Sequence, residues 1–405
     1  MPSDEVAQNR FLKRTIWLYC GFQFFFSLLF WLPVFYEYQK RIGLSDEQIF
    51  RIQSIYYVAF CVLEIPTGMM ADQIGHRRCM RIGAAVLVVA NILPIAIQNY
   101  AGFLLHFLLM ALSRSYISGA SSAYLYDFLD QHNARDHYKQ IEGNARAYGL
   151  FGKVACWSLV GFLMQWHLTL PYWLTVGAAL VSVLFALTLP AVTTRSTANL
   201  ALGGLARRLS SVGQTLLMSP FLAIAIFQGI AAFVLARICQ VNLFQPILEG
   251  KKFCVESYGM VMSVMTLFEA FGSARPGWVR RWLDDFQAVF VLTVLLAVSL
   301  WLIPLGNQIG AIVLLTVFSY ITGLVYPIQR QLINDCIPDS RHRATIMSIE
   351  SIVDRATNAW LADMIGDFLK RGALNDYLAL SSWLTIASMA GLFVLSRSRT
   401  FRRPV

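Results

Sequence analysis

A few charged side chains stand inside stretches of sequence that are otherwise apolar: Glu64, Arg114, Lys153, Arg237, Glu269, Glu350 and Asp354. Charge deep in a bilayer is costly, and residues that carry it there face a bundle interior or a wet cavity and mark ion or substrate pathways. Glu350 and Asp354 lie one helical turn apart. Two carboxylates at that spacing can hold a proton between them, since like charges a few ångströms apart do not both ionise. Glu269 and Glu64 are further candidates for moving a proton. For a substrate cavity the spacing picks out Tyr19 with Gln23, Gln53 with Tyr57 and Glu64, Arg114 with Ser118, Lys153 with Trp157, and Arg237, each group falling on one helical face. Basic groups at Arg114 and Lys153, set against acids in the other half of the chain, suit an anionic or zwitterionic small molecule. The plainer role for each of these residues is a pair that only ties two helices together. The run FQFFFSLLFWLPVFYEY offers rings that could stack on planar substrates or simply pack a bundle.

The elements that must position these groups are long apolar helices. The 405 residues are 57% hydrophobic and 14% charged, where a soluble domain carries about 25% charge. Apolar stretches of about 20 residues, enough to cross a bilayer core, recur from end to end. Spans are predicted near 15–37, 47–67, 79–97, 102–127, 147–166, 170–192, 216–243, 257–274, 287–304, 309–329, 344–367 and 377–396. This makes an all-α membrane protein with twelve transmembrane helices. Of the 33 Lys and Arg, 22 fall in the segments on the amino-terminal side and six in the opposite loops, so both termini are expected in the cytoplasm. The net charge of +10 is then an insertion signal rather than a nucleic-acid surface. The amino-terminal MPSDEVAQNRFLKR is too charged for the apolar core of a signal peptide and is expected to be retained.

Residues 193–215 are polar and rich in Gly and Ser, and they read as a cytoplasmic linker between a bundle at 1–192 and a second at 216–405. Shifting the sequence by 204 residues lays Gly68 on Gly272 and Arg77 on Arg281, in the same inter-helix position of each half. The first of these loops, GMMADQIGHRR, places Gly68, Asp72, Gly75, Arg77 and Arg78 in a pattern that resembles the signature loop of the major facilitator superfamily, G-x-x-x-D-x-x-G-R-[RK]. His76 stands where that family prefers Arg. The resemblance implies two pseudo-symmetric six-helix bundles and a conformational latch, in which Asp72 meets the start of the eleventh helix near RATIMS and Arg77 pairs with Asp127. LEIPTGMMAD, SGASSAYLYDFL and RATIMSIESI are similar to drug-efflux-like bacterial members.

The function implied is secondary active transport of a small organic molecule by alternating access, as proton-coupled export from a bacterial inner membrane. The fifth span, YGLFGKVACWSLVGFLM, lacks the proline of the antiporter signature, which keeps proton symport open for an anionic or zwitterionic metabolite or siderophore. A non-transporting sensor on the same scaffold is a third reading. The family resemblance also implies a monomer whose partners are the lipid bilayer, the substrate and the proton. No phosphate loop of the type G-x-x-x-x-G-K-[ST] occurs, and the seven cysteines have no metal-type spacing. Neither cofactor, metal nor enzymatic activity is expected.

Overall fold

Peptide groups find no water in hydrocarbon, so a chain that crosses it repeatedly must close its hydrogen bonds within each segment. The computed structural model describes residues 2–192, 220–337 and 343–397, and it is helical, with no strand among the described residues. A short 3-10 turn, Leu32–Val34, interrupts the first span between α1 (Pro2–Ser27) and α2 (Phe35–Arg41). α3 (Asp46–Ile74), α4 (His76–Ala96) and α5 (Tyr100–Gln131) follow. α6 (Tyr138–Trp157) and α7 (Val160–Trp166) are bent by 45° against each other and precede α8 (Leu170–Thr188). α9 (Pro220–Arg237) passes through a π-helical stretch, Ile238–Leu243, into α10 (Phe244–Gly250). The remainder is α11 (Glu256–Ser273), α12 (Gly277–Arg280), α13 (Asp285–Leu302), α14 (Gln308–Cys336), α15 (Arg343–Lys370) and α16 (Leu374–Arg397). The expected linker, 193–215, lies outside the described residues.

Among the described residues nine helical segments are long and apolar enough to cross a membrane, or ten when the bent pair α6–α7 is one span. α11 and α15 occupy the eighth and eleventh expected spans, and their polar and charged side chains keep them below that apolarity. Each of the twelve expected spans therefore meets a helix.

Contacts divide the chain into two compact units. One comprises Met1–Leu44, Ile55–Asn199 and Val255–Ser263; the other comprises Ser45–Ser54, Leu200–Cys254 and Val264–Val405. The first turns of α3 thus belong with the carboxyl-terminal helices, and the reason is visible inside that unit. Lys370 Nζ reaches Glu47 Oε2 at 2.7 Å, Arg51 approaches Asp363 at 3.8 Å, and Gly366 brings α15 against the backbone of Glu47. The start of α11 belongs likewise with the amino-terminal helices, where Gly161 of α7 lies against the carbonyls of Val255 and Glu256.

Within the first unit the aromatic run of the first span turns inward. Phe22, Trp31 and Phe35 are buried, Trp31 stacks on Tyr172 with ring centres 5.8 Å apart, and its Nε1 donates to Asn91 Oδ1 at 2.7 Å. Packing, not substrate stacking, is the part these three rings play. His106 is buried beside them with its Nδ1 2.6 Å from the Ala90 carbonyl.

Helix starts are fixed by side chains that the sequence supplies one residue ahead. Asn99 Oδ1 accepts from the Gly102 amide at 3.0 Å, Asp284 Oδ1 from Gln287 at 2.7 Å and Asn307 Oδ1 from Gly310 at 2.8 Å, each satisfying an amide that the helix leaves open. In the second unit α11 and α14 touch backbone to backbone. A Cβ on Gly323 would lie 2.1 Å from the Glu269 carbonyl, and one on Gly272 would lie 2.3 Å from that of Tyr320. Gly323→Ala is expected to push the two helices apart and cost about 1–3 kcal/mol. Gly177→Ala on α8, where nothing stands within 4 Å, serves as its control in thermal unfolding.

Candidate functional site

α5 carries Arg114, Ser118 and Ser122 at four-residue spacing, a single helical face. Arg114 is half-buried, and among the described residues its side chain makes no hydrogen bond or ion pair. Ser118 is exposed one turn on. Ser122 closes the row by donating its hydroxyl to Glu142 Oε1 at 2.9 Å. Glu142, at the second turn of α6, takes a second bond on Oε2 from the Tyr19 hydroxyl at 2.7 Å, and Gln23 Nε2 donates to that hydroxyl at 2.9 Å. Three helices, α1, α5 and α6, are thus joined through one carboxylate.

The other expected cavity residues of this unit are more dispersed. Lys153 sits over the ring of Trp157 with 5.7 Å between Nζ and the ring centre, and Trp157 Nε1 donates to the Leu29 carbonyl at 2.9 Å. Tyr57 is buried against Tyr56, and Glu64 is half-buried further along α3. Gln53 is placed in the second unit, buried, with no partner for its Nε2.

The second unit gathers its polar groups around the π-helical stretch of the seventh span. Such a stretch inserts one residue into the helical repeat and re-aims the side chains beside it, a feature frequent at functional sites. Arg237, the last residue before it, donates to Asp354 Oδ2 at 3.0 Å, and Asn358 Nδ2 donates to Asp354 Oδ1 at 3.1 Å. Gln240 Nε2, within the stretch, reaches Glu269 Oε2 at 3.0 Å. Glu350 is buried and receives Arg330 on Oε2 at 2.6 Å. Asn242, also within the stretch, is fully buried with neither side-chain atom bonded. Glu350 and Asp354 therefore each face an arginine, two ion pairs on one helix, which is the plainer of the two roles their spacing allows.

A profile of the Major Facilitator Superfamily matches residues 23–353. The chain belongs to that superfamily. Searching curated proteins finds no significant match. Among solved structures the chain is similar to a variant of the nucleoside transporter NupG, with a TM-score of 0.80 and 15% identity over 95% of this chain and 99% of that one. It is similar also to a POT family transporter in complex with a thioalcohol-conjugated peptide (TM-score 0.72, 13% identity, 94% of each chain). A D-xylose–proton symporter follows with a TM-score of 0.71 and 11% identity over 93% and 96%. At such identities the likeness fixes the fold and not the substrate. The superfamily makes this chain an integral membrane transporter of small molecules, and not an enzyme.

The superfamily's signature loop differs here in its detail. α3 does not end at Gly68 but continues to Ile74, and Gly75 makes the turn with φ of +89°, a conformation that residues with a Cβ rarely adopt. Asp127 is met by His76, with Nε2 and Oδ2 3.5 Å apart, rather than by Arg77. Arg77 is drawn instead to the open end of α8. Its guanidinium lies 3.5 Å from the Leu187 carbonyl, and Arg81 reaches the carbonyls of Ala186 and Leu187 at 3.1 and 2.7 Å. Cations at a helix carboxyl terminus satisfy unpaired carbonyls and complement the helix dipole. The side chains of Asp72 and of RATIMS lie outside the described residues, and Arg78 is exposed.

Glu142 was not singled out by sequence spacing. The charged surroundings of Glu142, in YKQIEGNAR, read as a cytoplasmic loop, whereas α6 already begins at Tyr138. A signal was present in Tyr19 and Gln23, which share a face and needed a polar partner.

Proposed function

We propose that the chain is a proton-coupled secondary transporter for a small organic molecule bearing an anionic or zwitterionic group. The observation that carries this is Arg114. A guanidinium half-buried mid-way along a transmembrane helix, with no partner among the described residues, is a cation in need of an anion. A carboxylate or phosphate matches its fork of donors. The acids Glu64, Glu269, Glu350 and Asp354 supply groups through which a proton could be moved, and alternating access of the two bundles, 1–192 and 216–405 around the linker 193–215, supplies the route. Gly68, Asp72, Gly75, Arg77, Arg78 and Asp127 serve as the latch that reports which side is closed. The protein is placed by this reading as a monomer in a bacterial inner membrane with both termini in the cytoplasm.

A second reading concerns direction. Export against protons is what the drug-efflux-like stretches imply, while the missing proline of the fifth span and the likeness to a sugar–proton symporter favour movement of substrate and proton together. Proteoliposomes holding a pH-sensitive dye test both. Organic acids, zwitterions, nucleosides, pentoses and dipeptides are offered outside in turn. The expected result is a lumenal pH change for an anionic or zwitterionic compound, acidification marking symport and alkalinisation antiport. Bulk neutral or cationic compounds acting alone would overturn the substrate class, and uptake with no pH change would overturn proton coupling.

A further inference from the structure

Basic residues are scarce on the side of the membrane expected opposite the termini. The sequence puts six there: Lys40, Arg41, Lys251, Lys252, Lys370 and Arg371. Three are engaged within the protein. Lys40 lies over the Tyr36 ring at 5.2 Å, Arg41 pairs with Glu37 at 2.7 Å and Lys370 with Glu47 at 2.7 Å. The other three flank one cavity in the second unit. It measures about 200 Å³, and Lys251, Ile303, Gly372, Asn375 and Leu378 are among the residues that line it. Lys252 and Arg371 are each the chain neighbour of a lining residue, and both are exposed. A single water needs about 10–15 Å³, so the space admits a larger polar group.

Lys251 is held in place but not neutralised. Its Nζ donates to the carbonyls of Pro304 at 2.8 Å and Gly306 at 2.6 Å, which takes two of the three N–H groups of the ammonium. Gln308 Nε2 donates to the carbonyls of Lys251 and Lys252 at 2.9 and 3.3 Å, so the turn that carries both lysines is itself fixed. Asp376 is exposed beside Asn375, yet no carboxylate among the described residues pairs with Lys251, Lys252 or Arg371. Cations of one sign around a cleft with low-dielectric walls focus a positive potential in it. Phosphate answers that potential, since a guanidinium fork and an ammonium both donate to its oxygens.

We propose that this cavity is a phosphate-binding site, taking a phospholipid headgroup or a soluble phosphate ester. Its surroundings favour the lipid. Leu305, between the two residues whose carbonyls hold Lys251, is 73% exposed and Ile309 is 72% exposed, apolar surface that acyl chains would cover. Trp301 and Trp383 are also exposed, with ring centres 6.3 Å apart, and indole rings gather at the headgroup level of a bilayer. A phosphate seated against Lys251 would bridge the turns that follow α10, α13 and α15. The site stands independently of proton coupling and of the transported substrate.

Native mass spectrometry of the full-length protein in a neutral detergent tests this with three probes: phosphatidylglycerol, diacylglycerol, which lacks the phosphate, and glycerol phosphate, which lacks the acyl chains. Phosphatidylglycerol is expected to bind at least tenfold more tightly than diacylglycerol. Competition by glycerol phosphate would assign the site to soluble esters; its failure to compete would assign it to the lipid. Two variants locate the site while leaving the hold on Lys251 intact. K252Q/R371Q removes the flanking charges, N375F fills the cavity, and each is expected to weaken phosphatidylglycerol binding at least tenfold. K40Q removes one charge from the first unit and is expected to leave binding unchanged. The site is overturned if wild type binds neither phosphate probe, if diacylglycerol binds as tightly as phosphatidylglycerol, if either of the two variants keeps its binding, or if K40Q loses as much.

Discussion

Replacing Arg114 by glutamate is expected to weaken binding of an anionic substrate by about a hundredfold to a thousandfold, the largest effect on function of any single change proposed for this protein. A charge-assisted hydrogen bond contributes roughly 1.5–3 kcal/mol, and the paired fork of a guanidinium makes two of them. Taken near the lower end of that range, their loss alone is worth about 3–4 kcal/mol, or two to three powers of ten in affinity, and the new carboxylate adds repulsion. Arg114→Lys keeps the charge and loses the fork, so it is expected to fall between the two, about tenfold weaker than wild type. Stability should be spared in both variants, because the side chain makes no hydrogen bond or ion pair among the described residues that its removal could break. Exchange of labelled compound in proteoliposomes, measured as a function of its concentration, provides the readout. Anion exchange unchanged in Arg114→Glu would show that the guanidinium faces lipid headgroups or water and not the substrate. A weakening of cationic and anionic compounds alike would point to a structural fault instead.

The spans were legible because a bilayer imposes one requirement on all of them, a length of apolar sequence that closes its own hydrogen bonds. What composition could not show was where a span bends. The π-helical stretch at Ile238–Leu243 holds no proline or glycine itself, and its one mark in the sequence is Pro246 three residues on, which has no N–H for the Asn242 carbonyl. Helix starts were blurred for the opposite reason. The first turns of α6 carry Lys139, Glu142 and Arg146, so a hydropathy window discards them as loop although the backbone is already helical from Tyr138.

Candidate residues were found by type and not by partner. Glu350 and Asp354 share a face of α15, as their spacing required, yet what each meets comes from α14 and α9, far away in sequence. Spacing within one helix fixes which residues share a face, and cannot say what another helix brings to it. The same limit explains the latch. The loop's residue types were recognisable, but the reach of each cation depends on how α4 lies against α8. Arg77 and Arg81 are taken by the carbonyls at the end of α8, and the less usual His76 is left to meet Asp127.

The pair Arg330–Glu350 carries the largest expected effect on stability, and the effect should be lopsided. The Glu350 side chain is 2% exposed and its Oε1 has no partner, so its charge depends on the single contact at Oε2. Arg330 is 29% exposed, and its guanidinium also lies over the rings of Phe233 and Tyr326, at 5.2 and 5.5 Å. Arg330→Leu leaves a buried carboxylate without a cation and is expected to cost about 3–5 kcal/mol. Glu350→Gln leaves an arginine that keeps some water and two ring faces, and about 1–2 kcal/mol is expected there. The double variant Arg330→Leu, Glu350→Leu removes both charges together and is expected to recover most of the loss, since an apolar pair of similar volume fills the site without desolvation cost. Thermal unfolding of the four proteins in one detergent measures this cycle. Equal losses for the two single variants would mean that solvent, and not Arg330, balances the Glu350 charge. Transport then separates a strut from a working part. If the double variant regains stability and still moves substrate, the pair only holds α14 to α15; if it regains stability and is inactive, breaking or remaking this ion pair belongs to the transport cycle itself.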